Sequence, residues 1–110
     1  MKLQDDDLDA FCQWLCEREN AIVGRPGMTF HCPLARWISE ITGHTYGVDG
    51  RVYGRASYAY HRWLLLPRWA EVFVIWSESV AFRPVTGYEA LVLLASVELA
   101  LQVLTAHNDE

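Results

Sequence analysis

Residues 50–63, GRVYGRASYAYHRW, set Arg51, Arg55 and Arg62 among Tyr53, Tyr58, Tyr60 and Trp63, in a stretch filled out largely by glycine, serine and alanine. Arginine among exposed rings is the chemistry of binding rather than of catalysis. Rings stack on unpaired bases while guanidinium groups meet phosphates. The same mixture also serves protein-binding loops, where tyrosine supplies rigid contact area and arginine supplies forked hydrogen bonds. A third outcome is that the rings only cover the core. A single lysine and a net charge of −5 argue against tracking a long polyanion. The candidate site is therefore a partner-binding surface made of Arg51, Tyr53, Arg55, Tyr58, Tyr60 and Arg62, with a protein as the expected partner and nucleic acid as the alternative.

Two further constellations bear on chemistry. Cys12 and Cys16, one helical turn apart, together with His31 and Cys32 offer the donor types of a tetrahedral zinc site. The spacing is not a common zinc spacing, and cysteine on an apolar helix stripe behaves as a small buried hydrophobe. Cys32, just ahead of Pro33 at an expected helix start, would have a lowered thiol pKa if the free N–H groups stabilise its thiolate. His31, His44 or His61 would then complete a Cys-His pair. A Cys- or metal-dependent enzyme is thus the second alternative. The acids of DDDLD suit a helix N-terminus better than catalysis. No glycine-rich phosphate loop, nucleophile elbow, H-E-x-x-H or EF-hand pattern is present, so no catalytic residue, metal or cofactor is expected.

The elements that would position these residues fit one domain spanning residues 1–110. Hydrophobic residues make up 52%, with five Trp, five Tyr and four Phe, which excludes a disordered chain and exceeds what a small core readily hides. Three cysteines cannot all pair with one another, and with no leader-like start this points to a reduced, cytoplasmic setting. The apolar run 90–103 is too short for a bilayer and is broken by Ser96, Glu98 and Gln102. Charge is segmental: net −4 over residues 1–20, +3 over 21–88 and −4 over 89–110.

Leu8, Phe11, Cys12, Leu15 and Cys16 predict a first helix over 6–19. GRPG forces a turn, and MTFH reads as a short extended piece. Pro33 opens a second helix with Leu34, Trp37, Ile38 and Ile41 on one stripe and Gly43 past its end. Asp49-Gly50 predicts the turn of a β-hairpin. Pro67 opens a third helix with Trp69, Val72, Phe73 and Trp76 inward. Thr86 and Glu89 form a capping box for a fourth helix reaching about residue 105, whose polar residues fall on opposed faces, as in a helix central to the fold or shared with a second copy.

CPLARWISEITG, LPRWAEVFV and VTGYEALVLLA, in that order, resemble small uncharacterised bacterial and phage proteins built on C-P-L-A-x-[WY]-[LI], L-P-x-W-A-x-x-F and [VI]-T-x-x-E-A-L helices. The similarity spans about residues 32–95 and implies a compact, mostly helical domain with no transferable active site. The expected fold is mainly α (small α+β): about four helices, with one short hairpin between the second and third. The expected function is a non-enzymatic interaction or regulatory protein, off the membrane, with a homodimer formed through the last helix.

Overall fold

The computed structural model describes residues 1–81 and 83–108, with side chains described to residue 103. Four helices form: α1 (Asp7–Cys16), α2 (Pro33–Thr42), α3 (Arg68–Val80) and α4 (Gly87–Asn108). Local signals set their ends. Pro33 takes the first position of α2, and Gly43 ends that helix in the left-handed conformation, φ 74°, that glycine adopts without strain. At α4 the capping box closes: Glu89 N–H donates to Thr86 Oγ1 at 3.2 Å, and Thr86 N–H donates to Glu89 Oε1 at 3.0 Å.

The strands correct the sequence expectation. In place of one hairpin between the second and third helices there are two small antiparallel sheets. One is two-stranded and pairs β1 (Ile22–Gly24) with β5 (Val85–Thr86), joining the segment after α1 to the segment before α4. The other is three-stranded, in the order β2 (Tyr46–Asp49), β3 (Val52–Arg55), β4 (Leu64–Leu65). The hairpin is thus only part of a sheet, and the architecture is α+β. The 28–31 segment is turn, not extended: His31 N–H and Cys32 N–H both donate to Met28 O, at 3.1 and 2.9 Å.

Phe11 is the hub of the core. Its ring lies 5.1 Å from Trp37, 5.4 Å from Phe73, 5.9 Å from Trp69 and 6.3 Å from Trp14, so α1, α2 and α3 meet around one side chain. Removing such a buried ring costs about 3–5 kcal/mol. The inward face of α1 differs from the expected stripe at one edge. Trp14 is buried while Cys16 is exposed, because Arg18 closes over the indole, 4.6 Å from the ring, and donates to Glu40 of α2 at 2.6 Å. Ile41 and Trp76, also expected inward, are exposed. The first turns of α4 are core, with Ala90, Leu94 and Val97 buried. Among the described residues no helix is long and apolar enough to cross a membrane.

Candidate functional site

The hairpin turn places the candidate residues, and it lies one residue later than expected. Asp49 pairs with Val52, so the two turn residues are Gly50 and Arg51. Gly50 has φ 61° and, among the described residues, no non-glycine residue has positive φ, which is the pattern of a II′ turn with glycine in its first central position. Arg51 therefore projects from the turn, 77% exposed, with its Nε 3.3 Å from Glu71 Oε1.

Tyr53 points the other way, into the core. It is fully buried, and its hydroxyl accepts from Leu3 N–H at 2.6 Å. Burial raises its pKa, opposed by that backbone hydrogen bond. Tyr53 is thus a core side chain that backs a pocket wall and offers no exposed surface of its own.

On the opposite face of the hairpin, Gly47 and Gly54 are cross-strand partners. A Cβ at Gly54 would lie 2.4 Å from Trp63 Cδ1, and one at Gly47 would lie 2.7 Å from Trp63 Cη2 and 2.8 Å from Phe30 Cε1. The paired glycines leave a flat seat on which the Trp63 indole lies. Trp63 Nε1 donates to Tyr58 O at 3.3 Å, which ties residues 56–63 back across the sheet as a strap. The Tyr60 ring lies 5.3 Å from Trp63, tilted by 41°, with Asp49 beside its hydroxyl; desolvation and that carboxylate push the hydroxyl above its ordinary range.

The remaining three residues come together. The guanidinium of Arg55 lies 5.1 Å from the Tyr58 ring centroid and that of Arg62 lies 4.9 Å from it. Arg55 also donates to the Tyr58 hydroxyl at 3.3 Å and to His44 Nδ1 at 3.1 Å; a guanidinium has no acceptor, so the imidazole nitrogen supplies the lone pair. No carboxylate pairs with Arg55 or Arg62 among the described residues. The group borders a pocket of about 210 Å³ lined by Tyr46, Tyr53, Arg55, Tyr58, Arg62 and Leu64, with Met1 and Gly54 completing the wall. None of these residues is acidic.

The expected six-residue site is therefore divided. Arg55, Tyr58 and Arg62 form a cluster, Tyr60 flanks it through Trp63, Arg51 stands at the turn in an ion pair, and Tyr53 is core. His44 and Trp63 belong to the site and were absent from the expected set. Glycines placed symmetrically about the turn were the signal for Trp63; nothing in the sequence links His44 to Arg55.

The cysteines do not assemble. Among the described residues no group of three or more His, Cys, Asp or Glu side chains is placed to hold a metal ion. Cys12 is half-buried, one turn from exposed Cys16; burial first, then Cys16, Glu98 and Asp9, raise its pKa. Cys32 occupies the position just before α2 without a side-chain capping hydrogen bond, and burial dominates its chemistry. Its thiol is pushed up to about 11 although the backbone N–H groups of Ala35 and Leu34 pull it down. That counts against the activated thiolate on which the second alternative, a Cys-dependent enzyme, would rest.

A larger pocket of about 410 Å³ lies between the ends of α3 and α4, but its arginine, Arg83, is already paired with Glu89. A third, of about 300 Å³ and lined chiefly by Val72, Trp76, Val97 and Ala100, is apolar. No family model, curated protein or solved structure matches the chain.

Proposed function

We propose that the chain is a non-enzymatic interaction protein that docks on a protein partner through the strap surface of Arg55, Tyr58, Tyr60 and Arg62. One observation carries the reading: two guanidinium groups rest on one tyrosine ring, and no carboxylate among the described residues pairs with them. Arginine so held is pre-oriented and weakly hydrated, which suits forked hydrogen bonding to a partner. Arg51 and Tyr53 drop out of the contacting set. The unpaired cysteines suit a reducing compartment such as the cytoplasm. Self-association belongs to the same reading: α4 leaves Val92, Leu99 and Val103 exposed, a second copy would cover them, and a solution mass twice 12.6 kDa is the expected result.

Affinity capture with the wild-type chain and with a folded Arg55→Gln/Arg62→Gln variant tests the docking surface. The expected result is a protein recovered by the wild type alone which, once purified, protects residues 55–63 from hydrogen exchange. A partner recovered equally by both places the surface elsewhere. Recovery of RNA or DNA with the same arginine dependence makes the chain a nucleic-acid binder.

A further inference from the structure

Resting on that reading, we infer that the pocket beside Tyr58 is a receptor for a single carboxylate: the side chain of an acidic residue in the partner segment. The argument starts from size. At about 210 Å³ the pocket lies below the range of roughly 300–1,000 Å³ that encloses drug-sized ligands, so it takes one side chain and not a cofactor.

Charge then selects the occupant. Arg55 and Arg62 both border the pocket, and among the described residues no carboxylate pairs with either. Among the acids of the surrounding elements, Asp49 lies beside Tyr60, Glu71 is paired with Arg51, and Asp7 acts on Tyr53 at the inner wall of the pocket. The Tyr58 hydroxyl and the ring between the two cations hold them in place, so little side-chain freedom remains to be lost on binding. A carboxylate accepts from guanidinium groups in a planar fork, and the tyrosine and leucine walls accommodate its methylene stem.

A nucleic-acid strand fits less well. Tracking a phosphate backbone needs a row of free cations, whereas Arg51 is paired with Glu71 and Arg36 donates to Ile22 O on another face.

The chain's own charge makes the test stringent. With a net charge of −5, long-range electrostatics repel an acidic peptide, so binding must come from the local positive groups at the pocket, Arg55 and Arg62 with the Met1 ammonium beside Tyr46.

Nitrogen–proton NMR titrations with end-blocked hexaglutamate, hexaglutamine and inorganic phosphate read the pocket directly. Expected are saturable shifts at the Gly54 amide and at the Arg55 and Arg62 Nε–H groups with hexaglutamate and none with hexaglutamine. Arg62→Gln should weaken the affinity by about tenfold, the scale of one charge-assisted hydrogen bond. Arg51→Gln should leave it unchanged. Arg62 has no described side-chain contact except the Tyr58 ring, so its variant isolates charge from folding. Equal response to the two peptides overturns the inference, as does equal weakening by Arg51→Gln and Arg62→Gln. Saturation by phosphate with silence toward hexaglutamate assigns the pocket to phosphoryl groups and overturns it too. If hexaglutamate fails while a captured protein still depends on Arg55 and Arg62, only the carboxylate is lost; if capture fails as well, the docking surface falls with it.

Discussion

Gly54 and Trp63 are bound by a geometric necessity: the indole lies so close that a methyl group on Gly54 would sit 2.4 Å from its Cδ1 and 2.5 Å from its Cγ. The strand is flattened for the ring, and the ring in turn holds the strap through its bond to Tyr58 O. Folding of the hairpin and presentation of the arginines are thereby linked at one position.

Gly54→Ala should lift the indole off the sheet and release the strap. The strap ring is half-buried and the Phe11 hub is untouched, so the stability loss should be about 1–3 kcal/mol, the usual scale of overpacking. Two readouts check it: the Trp63 indole N–H resonance should move, and the hexaglutamate response should shrink while helical circular dichroism stays constant.

Gly87 occupies a harder constraint. A Cβ there would meet the carbonyl oxygens of Leu15 and Arg18, both at 2.4 Å, and neither can swing aside because both are backbone. The approach is needed because Gly87 N–H and Tyr88 N–H donate to Arg18 O and Glu19 O just beyond the end of α1, so the start of α4 caps that helix. Gly87→Ala should cost about 3 kcal/mol or more. Gly50→Ala has open space and only its left-handed φ against it, at about 1–2 kcal/mol. Urea midpoints of the two variants give the comparison; equal losses would mean the α1–α4 junction yields more easily than this packing implies.

What could be read from the sequence was local. Pro33, Gly43 and the Thr86–Glu89 box mark helix ends because capping is decided within one turn of chain. The β1–β5 pairing was not legible. Two strands of two or three residues show no alternation, and their register is set by how α1 delivers Ala21 and Arg18 to Gly87. The stripe of α1 was misread at one edge for a similar reason: Leu8, Phe11, Cys12 and Leu15 face the core as expected, but whether Trp14 or Cys16 is covered depends on where Arg18 and Glu40 meet, a contact between helices. Of the site, residue types were legible and grouping was not. A hairpin turn at Gly50–Arg51 instead of Asp49–Gly50 sets the register that puts Tyr53 opposite Val48 inside the sheet and Arg55 opposite Tyr46 at its edge.

Acid should weaken the α4 start in a defined window. Arg83 and the Thr86 N–H hold the Glu89 carboxyl down to about 2, below its ordinary value of 4.5. A depressed folded-state value means the stabilisation is complete above the ordinary value and is lost as pH falls from there toward about 2. Glu89→Gln should remove this component, so the stability difference between wild type and variant should be constant near neutral pH and shrink between pH 4.5 and 2. Denaturation series at matched ionic strength check it. A difference that does not change across the window would show that the carboxylate charge contributes nothing to the cap.

The three thiols should separate by reactivity in the order that their surroundings dictate. The thiolate is the reacting species, so both exposure and pKa matter. Cys16 is exposed on the last turn of α1. Cys12, one turn earlier, is half-buried and is raised by burial, by Cys16 and by Glu98. Cys32 is buried and pushed up to about 11. A maleimide applied to the native chain near neutral pH should therefore modify Cys16 first and Cys12 more slowly. It should reach Cys32 only at the rate at which the α2 start opens. Mass spectrometry of timed samples gives the order, and urea should bring the three rates together. Rapid native labelling of Cys32 would mean that the backbone N–H groups of Leu34 and Ala35 outweigh burial, and would return Cys32 to consideration as a nucleophile. Slow labelling, with Cys16→Ser leaving the Arg55–Arg62 titrations unchanged, assigns the cysteines to structure and keeps them out of the strap surface.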